Sequence, residues 1–298
     1  MPSLAPHGVL AAAELAFFTP SFLLALYICH RHSFRQCRTA GWFYLLLLHT
    51  LRLIGASCTL YAEPQHPTQG VLITAAITSA IGTAPLFLVL LGFLKRLNIL
   101  LTAHNLPTRI FTPIHIPSLA ALILAIVGIN LLYDTSSSSP THATGRALFE
   151  TSTLIFLVIY LALALILAHT TYRLPHVPTS ERILVFAGLA VLPFMSVRIV
   201  YVVCVGFASP GSTFDSADPD AWIQAFMQFA MEAACVVLYI WAGVASPRQE
   251  AVDKEGKRER QGEKGMEEMG STETGSTETG STETGRVYES KGKYGQRY

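Results

Sequence analysis

Seven apolar segments constrain the fold of this chain more than any other feature. They cover approximately residues 8–29, 41–62, 70–94, 113–133, 147–169, 182–207 and 221–245. Each is long enough, at about 20 residues or more, to cross the hydrocarbon core of a bilayer as a helix. Because no water reaches the backbone at that depth, each segment must satisfy its own hydrogen bonds, as a helix does. The sequence therefore predicts an all-α, polytopic membrane protein with a bundle of seven transmembrane helices.

Charge is scarce and unevenly distributed, which divides the chain into two regions. Only 14% of the residues are charged, against roughly 25% in soluble domains, and about half of these charges follow residue 245. The unit GSTET occurs three times between residues 270 and 284. A short polar repeat cannot form a packed core. We therefore expect a transmembrane domain at residues 1–245 and a disordered cytosolic tail at 246–298, and a net charge of +1 gives no reason to expect nucleic acid.

Basic residues alternate between the loops and so predict the orientation. The second and sixth loops have none and the fourth has only Arg146, whereas the first, third and fifth carry Arg31, Arg35, Arg38, Lys95, Arg96, Arg109, Arg173 and Arg182. The positive-inside rule then places the N-terminus outside or in the lumen and the C-terminus in the cytosol. We expect a multi-pass protein of the endoplasmic reticulum or plasma membrane. No lumenal loop holds a cysteine pair, so no disulfide framework is expected.

Five ionisable side chains lie inside the apolar segments: Glu14, Arg52, Glu150, Arg198 and Glu232. An unpaired charge in hydrocarbon costs roughly 3 kcal/mol on insertion scales, so such residues are paired, hydrated or functional. From their distances to the segment ends, all five fall between the midplane and the outer face. The sequence therefore predicts a polar cavity that opens outward or to the outer lipid leaflet.

The acids are the candidate catalytic groups. Glu14–Arg52 and Glu150–Arg198 are candidate ion pairs that would fix helix packing, and since three glutamates face two arginines, one acid is left over. Glu232 is the first choice for this surplus acid because of its depth. A neutral carboxylic acid in a dry pocket can donate a proton, although it can also simply hydrogen-bond to a neighbouring helix. Glu232, Glu14 and Glu150 are the predicted catalytic residues.

Other polar residues are predicted to contact a ligand. Gln224, Gln228 and Glu232 are spaced so that they share one helix face. The predicted binding residues are Arg52, Arg198, Tyr201, Gln228, Gln224 and Tyr61. No metal-ligand spacing and no cofactor motif occurs, so neither a metal nor a cofactor is expected. No lysine lies within a segment, which excludes a retinal-type Schiff base.

Several motifs carry a resemblance to a known family. They are ELAFFTP from Glu14, GWF from Gly41, LRLIGA from Leu51 and SVRIVY from Ser196, followed by a helix that contains Glu232. Over residues 1–245 the chain resembles a filamentous-fungal family of seven-helix integral membrane proteins, most of them without an assigned function. It is also similar in size to the membrane-bound terpene cyclases of fungal meroterpenoid biosynthesis, and to a fungal lipid-responsive family with seven helices.

Two functions follow as expectations. The cyclase resemblance implies that a buried carboxylic acid protonates an epoxidised prenyl chain, that aromatic faces stabilise the carbocation, and that a second carboxylate accepts the final proton. The alternative is a seven-helix transporter or receptor-like protein for a lipophilic ligand. Both imply a lipophilic small molecule and membrane lipid as partners. The sequence leaves open the substrate, the oligomeric state and which glutamate is unpaired.

Overall fold

The computed structural model describes residues 5–32, 41–62, 68–100, 111–133, 139–173, 175, 179–209, 211–214 and 220–246. These residues contain seven helices that are long and apolar enough to cross a membrane, which confirms the all-α, multi-pass prediction. Apart from Ser246, the predicted tail at 246–298 lies outside the described residues.

The helices follow the predicted order, with two changes of boundary. The first and second spans are Pro6–Arg31 and Trp42–Ala62, and the third consists of two helices, Gln69–Ile81 and Thr83–Leu100. The fourth, fifth and sixth are Thr112–Tyr133, Ser139–Tyr172 and Arg182–Gly206. The seventh comprises Ala221–Ile223, Gln224–Ala230 and Met231–Ala245. The fifth span therefore begins before the predicted residue 147. The third continues beyond the predicted residue 94 and contains Lys95, so the expectation that no span holds a lysine is wrong.

The third span is interrupted at Gly82, and the interruption separates a central helix from a peripheral one. Pro85 lacks the N–H that would bond to the carbonyl of Ile81, so an unbroken helix is disfavoured there. Between Thr83 and Leu97 almost every residue is buried among the other spans. Above the break, from Gln69 to Ile81, most residues are only partly buried. One half of the bundle is therefore filled by a central helix, and the other half is not.

Aromatic side chains pack against one another in the half of the bundle that contains the central helix. The Trp42 ring lies edge-on to Phe93 with centroids 4.7 Å apart, and Phe93 meets Tyr239 in the same way at 5.4 Å. The Tyr239 hydroxyl donates to the Leu86 carbonyl at 3.1 Å. Because the basic loops predict this side to be cytosolic, we call it the cytosolic half and the opposite side the outer half.

The seventh span enters the outer half through an irregular segment. Asp220 caps the start of this span, because its side chain accepts hydrogen bonds from the backbone N–H groups of Trp222 and Ile223. Gln224–Ala230 then forms a π-helix directly before Glu232. Such wide turns are rare and concentrate at functional sites.

One expectation about covalent structure is wrong. Cys29, at the cytosolic end of the first span, is disulfide-bonded, whereas Cys58, Cys204 and Cys235 are free. The expectation considered lumenal loops alone and therefore missed this position.

The orientation can be tested with engineered glycosylation sites, since the chain has no N-x-S/T sequence of its own. We expect a peptide containing such a site to be glycosylated when inserted after Ser212, between the sixth and seventh spans. The same peptide inserted after Arg173, between the fifth and sixth, should remain unmodified in a gel-shift assay with glycosidase. The reverse pattern would show that the bundle is inverted.

Candidate functional site

A cavity of about 360 Å³ lies in the outer half of the bundle, and every span contributes to its wall. Nearly all lining residues of the odd-numbered spans come from their first halves, and nearly all those of the even-numbered spans from their second halves. One representative from each span is Glu14, Arg52, Ser79, Ile129, Phe156, Arg198 and Gln228. Of the five charges that the sequence places in this half, Glu14, Arg52 and Arg198 line the cavity.

A buried ion pair lies at the inner end of this cavity. Arg52 donates through Nε to one oxygen of Glu232 and through Nη2 to the other. The two side chains are 4% and 0% exposed, so almost no water contacts them. A two-pronged guanidinium–carboxylate contact is the geometry that best offsets the cost of burying both charges.

A second guanidinium lies beside the same carboxylate. Arg198 Nε is 3.9 Å from an oxygen of Glu232. Arg198 also donates through Nη2 to the Ser79 carbonyl at 3.3 Å, and its guanidinium carbon is 5.5 Å from the centroid of the Tyr201 ring. Glu232 is therefore the shared counter-ion of two arginines, one on the second span and one on the sixth.

Ser79 connects the third span to this cluster through two different atoms. Its carbonyl accepts from Arg198, and its hydroxyl accepts from the Gln228 amide at 2.8 Å. We call Arg52, Ser79, Arg198 and Glu232 the charged floor of the cavity. It joins the second, third, sixth and seventh spans at one level.

Gly82 makes room for the charged floor. A Cβ atom at this position would lie 2.6 Å from Arg52 Nη2 and 3.1 Å from the guanidinium carbon. A Cβ atom does not approach another heavy atom as closely as 2.6 Å, so a side chain at residue 82 would displace the Arg52 guanidinium. Because Gly82 has no side chain, the backbone at the interruption in the third span can lie directly against the buried guanidinium of Arg52.

Glu14 differs from the other acids because it faces the cavity without a direct partner. It lines the cavity and is 7% exposed. Within the part of the chain that the structure describes, its carboxylate forms no hydrogen bond or ion pair. It interacts electrostatically with Arg52, Glu232 and Arg198 across the cavity.

The predicted ion pairs are therefore wrong. Arg52 pairs with Glu232 rather than Glu14, and Glu150 is bound by Arg146 Nε at 2.9 Å rather than by Arg198. Arg146 also donates to the Ala208 carbonyl at 3.0 Å, which holds it over Glu150. The sequence count of three acids against two bases leaves out Arg146, which the sequence places in the fourth loop and the structure places in the fifth span. Once it is included the numbers are equal, and the expected surplus acid disappears.

The predicted site residues separate into three groups. Six of them line the cavity: Glu14, Arg52, Arg198, Tyr201, Gln224 and Gln228. Glu232 lies beneath them in the charged floor. Glu150 and Tyr61 do not line the cavity, and the Tyr61 side chain is exposed on the outside of the bundle.

Residues 4–249 match a protein-family model described as a domain of unknown function, DUF7702. The chain belongs to the DUF7702 family. The match includes all seven spans, so the outer cavity and its charged floor lie within the family domain. Neither a search of curated proteins nor a search of solved structures gave a match.

Sequence reasoning missed two members of the site, Ser79 and Gly82. Both lie in the stretch SAIGTAP, residues 79–85, where small and polar residues interrupt an apolar segment. Such an interruption is the one local signal of a broken helix, and broken helices in membranes line cavities.

The ion pair can be tested by removing one partner or both. Arg52→Met leaves Glu14 and Glu232 against Arg198 alone, so we expect a loss of about 3–5 kcal/mol in unfolding free energy. Arg52→Met combined with Glu232→Met keeps the charges balanced and should recover most of that loss. Denaturant unfolding in detergent measures both variants.

Arg146→Met is the matched control, because its pair with Glu150 is partly exposed and should be worth about 1 kcal/mol or less. The shared counter-ion would be contradicted if the double variant at Arg52 and Glu232 lost as much unfolding free energy as the two single variants added together.

Proposed function

We propose that this protein binds a small lipophilic molecule in the outer cavity and acts as a receptor-like or carrier protein. The observation that carries the proposal is the cavity itself, to which all seven spans contribute. Its volume of about 360 Å³ falls within the range of roughly 300–1,000 Å³ of small-molecule sites.

The chemistry of the walls supports an amphipathic ligand. Apolar residues supply about half of the lining, with Ala75, Ala125, Ile129, Phe149 and Val205 among them. The guanidinium groups of Arg52 and Arg198 lie at the inner end. This division matches the usual small-molecule site, in which apolar walls supply affinity and a few polar atoms fix orientation.

The connections of the charged floor favour a protein that responds to its ligand. Arg198 and Ser79 join the sixth span to the third at the floor. The same two spans meet again in the cytosolic half, where the buried Arg96 donates to Glu181, just before the sixth span, at 2.5 Å. Gly82 lies between these levels, and element ends of this kind absorb hinge motions. A ligand on the floor would therefore contact helices that reach the cytosolic side.

Filling the cavity should remove the ligand. We expect protein purified in lipid nanodiscs to retain a small molecule that is enriched over the surrounding lipid extract, and Ala75→Phe to lose it. Mass spectrometry of the extracts measures this difference. Ala147→Phe, at an exposed position on the fifth span, is the matched control and should retain the molecule. Identical extracts from wild type and Ala75→Phe would contradict the proposal.

A second candidate, a membrane-embedded terpene cyclase, is favoured by the unpartnered carboxyl group of Glu14. In this reading Glu14, rather than the doubly paired Glu232, is the general acid. Its proton passes to the epoxide oxygen, and the C–O bond breaks. Alkene π electrons then close the ring, and the carboxylate takes back a proton from carbon. The product is an isomer of the substrate, and no cofactor is consumed.

Microsomes test the cyclase candidate directly. Incubation with an epoxyfarnesyl phenol should yield a cyclised isomer of unchanged mass, and Glu14→Gln should abolish it because the amide is not an acid. Glu150→Gln, an acid outside the cavity, should retain the activity. Absence of any isomer across several prenylated substrates, or full activity of Glu14→Gln, would exclude this mechanism.

A further inference from the structure

We infer that the ligand of the outer cavity carries an uncharged hydroxyl headgroup, an alcohol or a phenol; the inference rests on the proposed function and specifies its ligand. It follows from the balance of charges around the cavity and from the polar atoms that lack partners there.

Charge balance excludes a charged headgroup. Arg52 and Arg198 face Glu14 and Glu232, and all four side chains are at most 7% exposed. Ionised together, they sum to zero. A carboxylate or ammonium headgroup would add one uncompensated charge beside these buried side chains, and an unbalanced buried charge is strongly unfavourable. A neutral headgroup leaves the balance intact.

The groups that border the cavity favour one kind of neutral headgroup. The Glu14 carboxylate is an acceptor without a donor among the described residues, and it borders the cavity. Arg198 borders the same cavity and carries guanidinium N–H donors. A hydroxyl group can donate to a carboxylate and also offer its lone pairs to a guanidinium. An ether or ketone offers no hydrogen to Glu14.

The position of Glu14 also places the headgroup. Glu14 lies on the first span and Arg198 on the sixth, and both residues line the cavity. The apolar residues of the fourth and fifth spans, including Ile129 and Phe149, line the remaining wall. A molecule with its hydroxyl group between the two charged side chains would therefore place its hydrocarbon body against these spans.

Four matched photoprobes test the headgroup. Diazirine-bearing analogues of 1-dodecanol, dodecanoate, dodecylammonium and dodecyl methyl ether are photolysed with the full chain in nanodiscs. Labelled peptides are mapped by mass spectrometry, and labelling of cavity residues is normalised to labelling of lipid-facing residues. We expect the alcohol to label the cavity roughly tenfold more than the ether, because only the alcohol donates to a charged acceptor. Both charged probes should fall to the level of the ether.

Two variants connect the result to the named residues. Glu14→Leu removes the acceptor and should abolish the advantage of the alcohol over the ether, whereas Glu150→Leu, outside the cavity, should preserve it. Preferential labelling by dodecanoate or dodecylammonium, or equal labelling by alcohol and ether, would overturn the hydroxyl inference and leave the binding function standing. Failure of all four probes to label the cavity above lipid-facing residues would overturn both.

Discussion

A carboxylate held between two guanidinium groups in the middle of the bundle is the interaction on which the rest of this structure depends. Glu232 accepts two hydrogen bonds from Arg52 and lies 3.9 Å from Arg198. Without it two buried cations would face each other across a site that excludes water, where repulsion is weakly screened. With it, the second, sixth and seventh spans meet at one level, and Ser79 adds the third.

The division of the bundle into a filled half and a hollow half follows from that cluster and from the interruption at Gly82. The guanidinium of Arg52 occupies the space that a side chain at residue 82 would need. Below this level the helix from Thr83 is the centre of the core, while above it the helix that ends at Ile81 borders the cavity. The π-helix before Glu232 contributes Gln224 and Gln228 to the cavity wall. The polar cavity therefore lies in the half of the protein in which the third and seventh spans are irregular.

Hydropathy was sufficient to predict the architecture, because each span in lipid must satisfy its backbone hydrogen bonds within its own helix. The number of helices and the clustering of four of the five buried charges follow from position along each segment. Pairing could not be predicted in the same way, since it depends on how helices are rotated and arranged around the bundle. Glu150 shows the difficulty: its partner Arg146 is one turn away on the same helix, whereas the sequence offers the more distant Arg198 as its partner. Ser79 could not be predicted either, because one of its two contacts uses the backbone carbonyl, which every residue carries.

The candidate functions differ in the protonation state of the cavity. A binding site in which Glu14 balances the charged floor needs Glu14 and Glu232 to be ionised together with both arginines. A proton-donating catalyst needs one of these carboxyl groups to be neutral. The two functions therefore require the same geometry and differ by one proton. Whether a carboxyl group of the cavity holds that proton decides between binding and catalysis.

Infrared difference spectroscopy of the protein in nanodiscs at neutral pH tests this most directly. Subtracting the spectra of Glu14→Gln and of Glu232→Gln from that of the wild type reveals any protonated carboxyl C=O stretch that belongs to either residue. If Glu14 and Glu232 balance the two arginines, both should show carboxylate bands and neither should show the band of a protonated carboxyl group. A protonated band that is lost in either variant would contradict it.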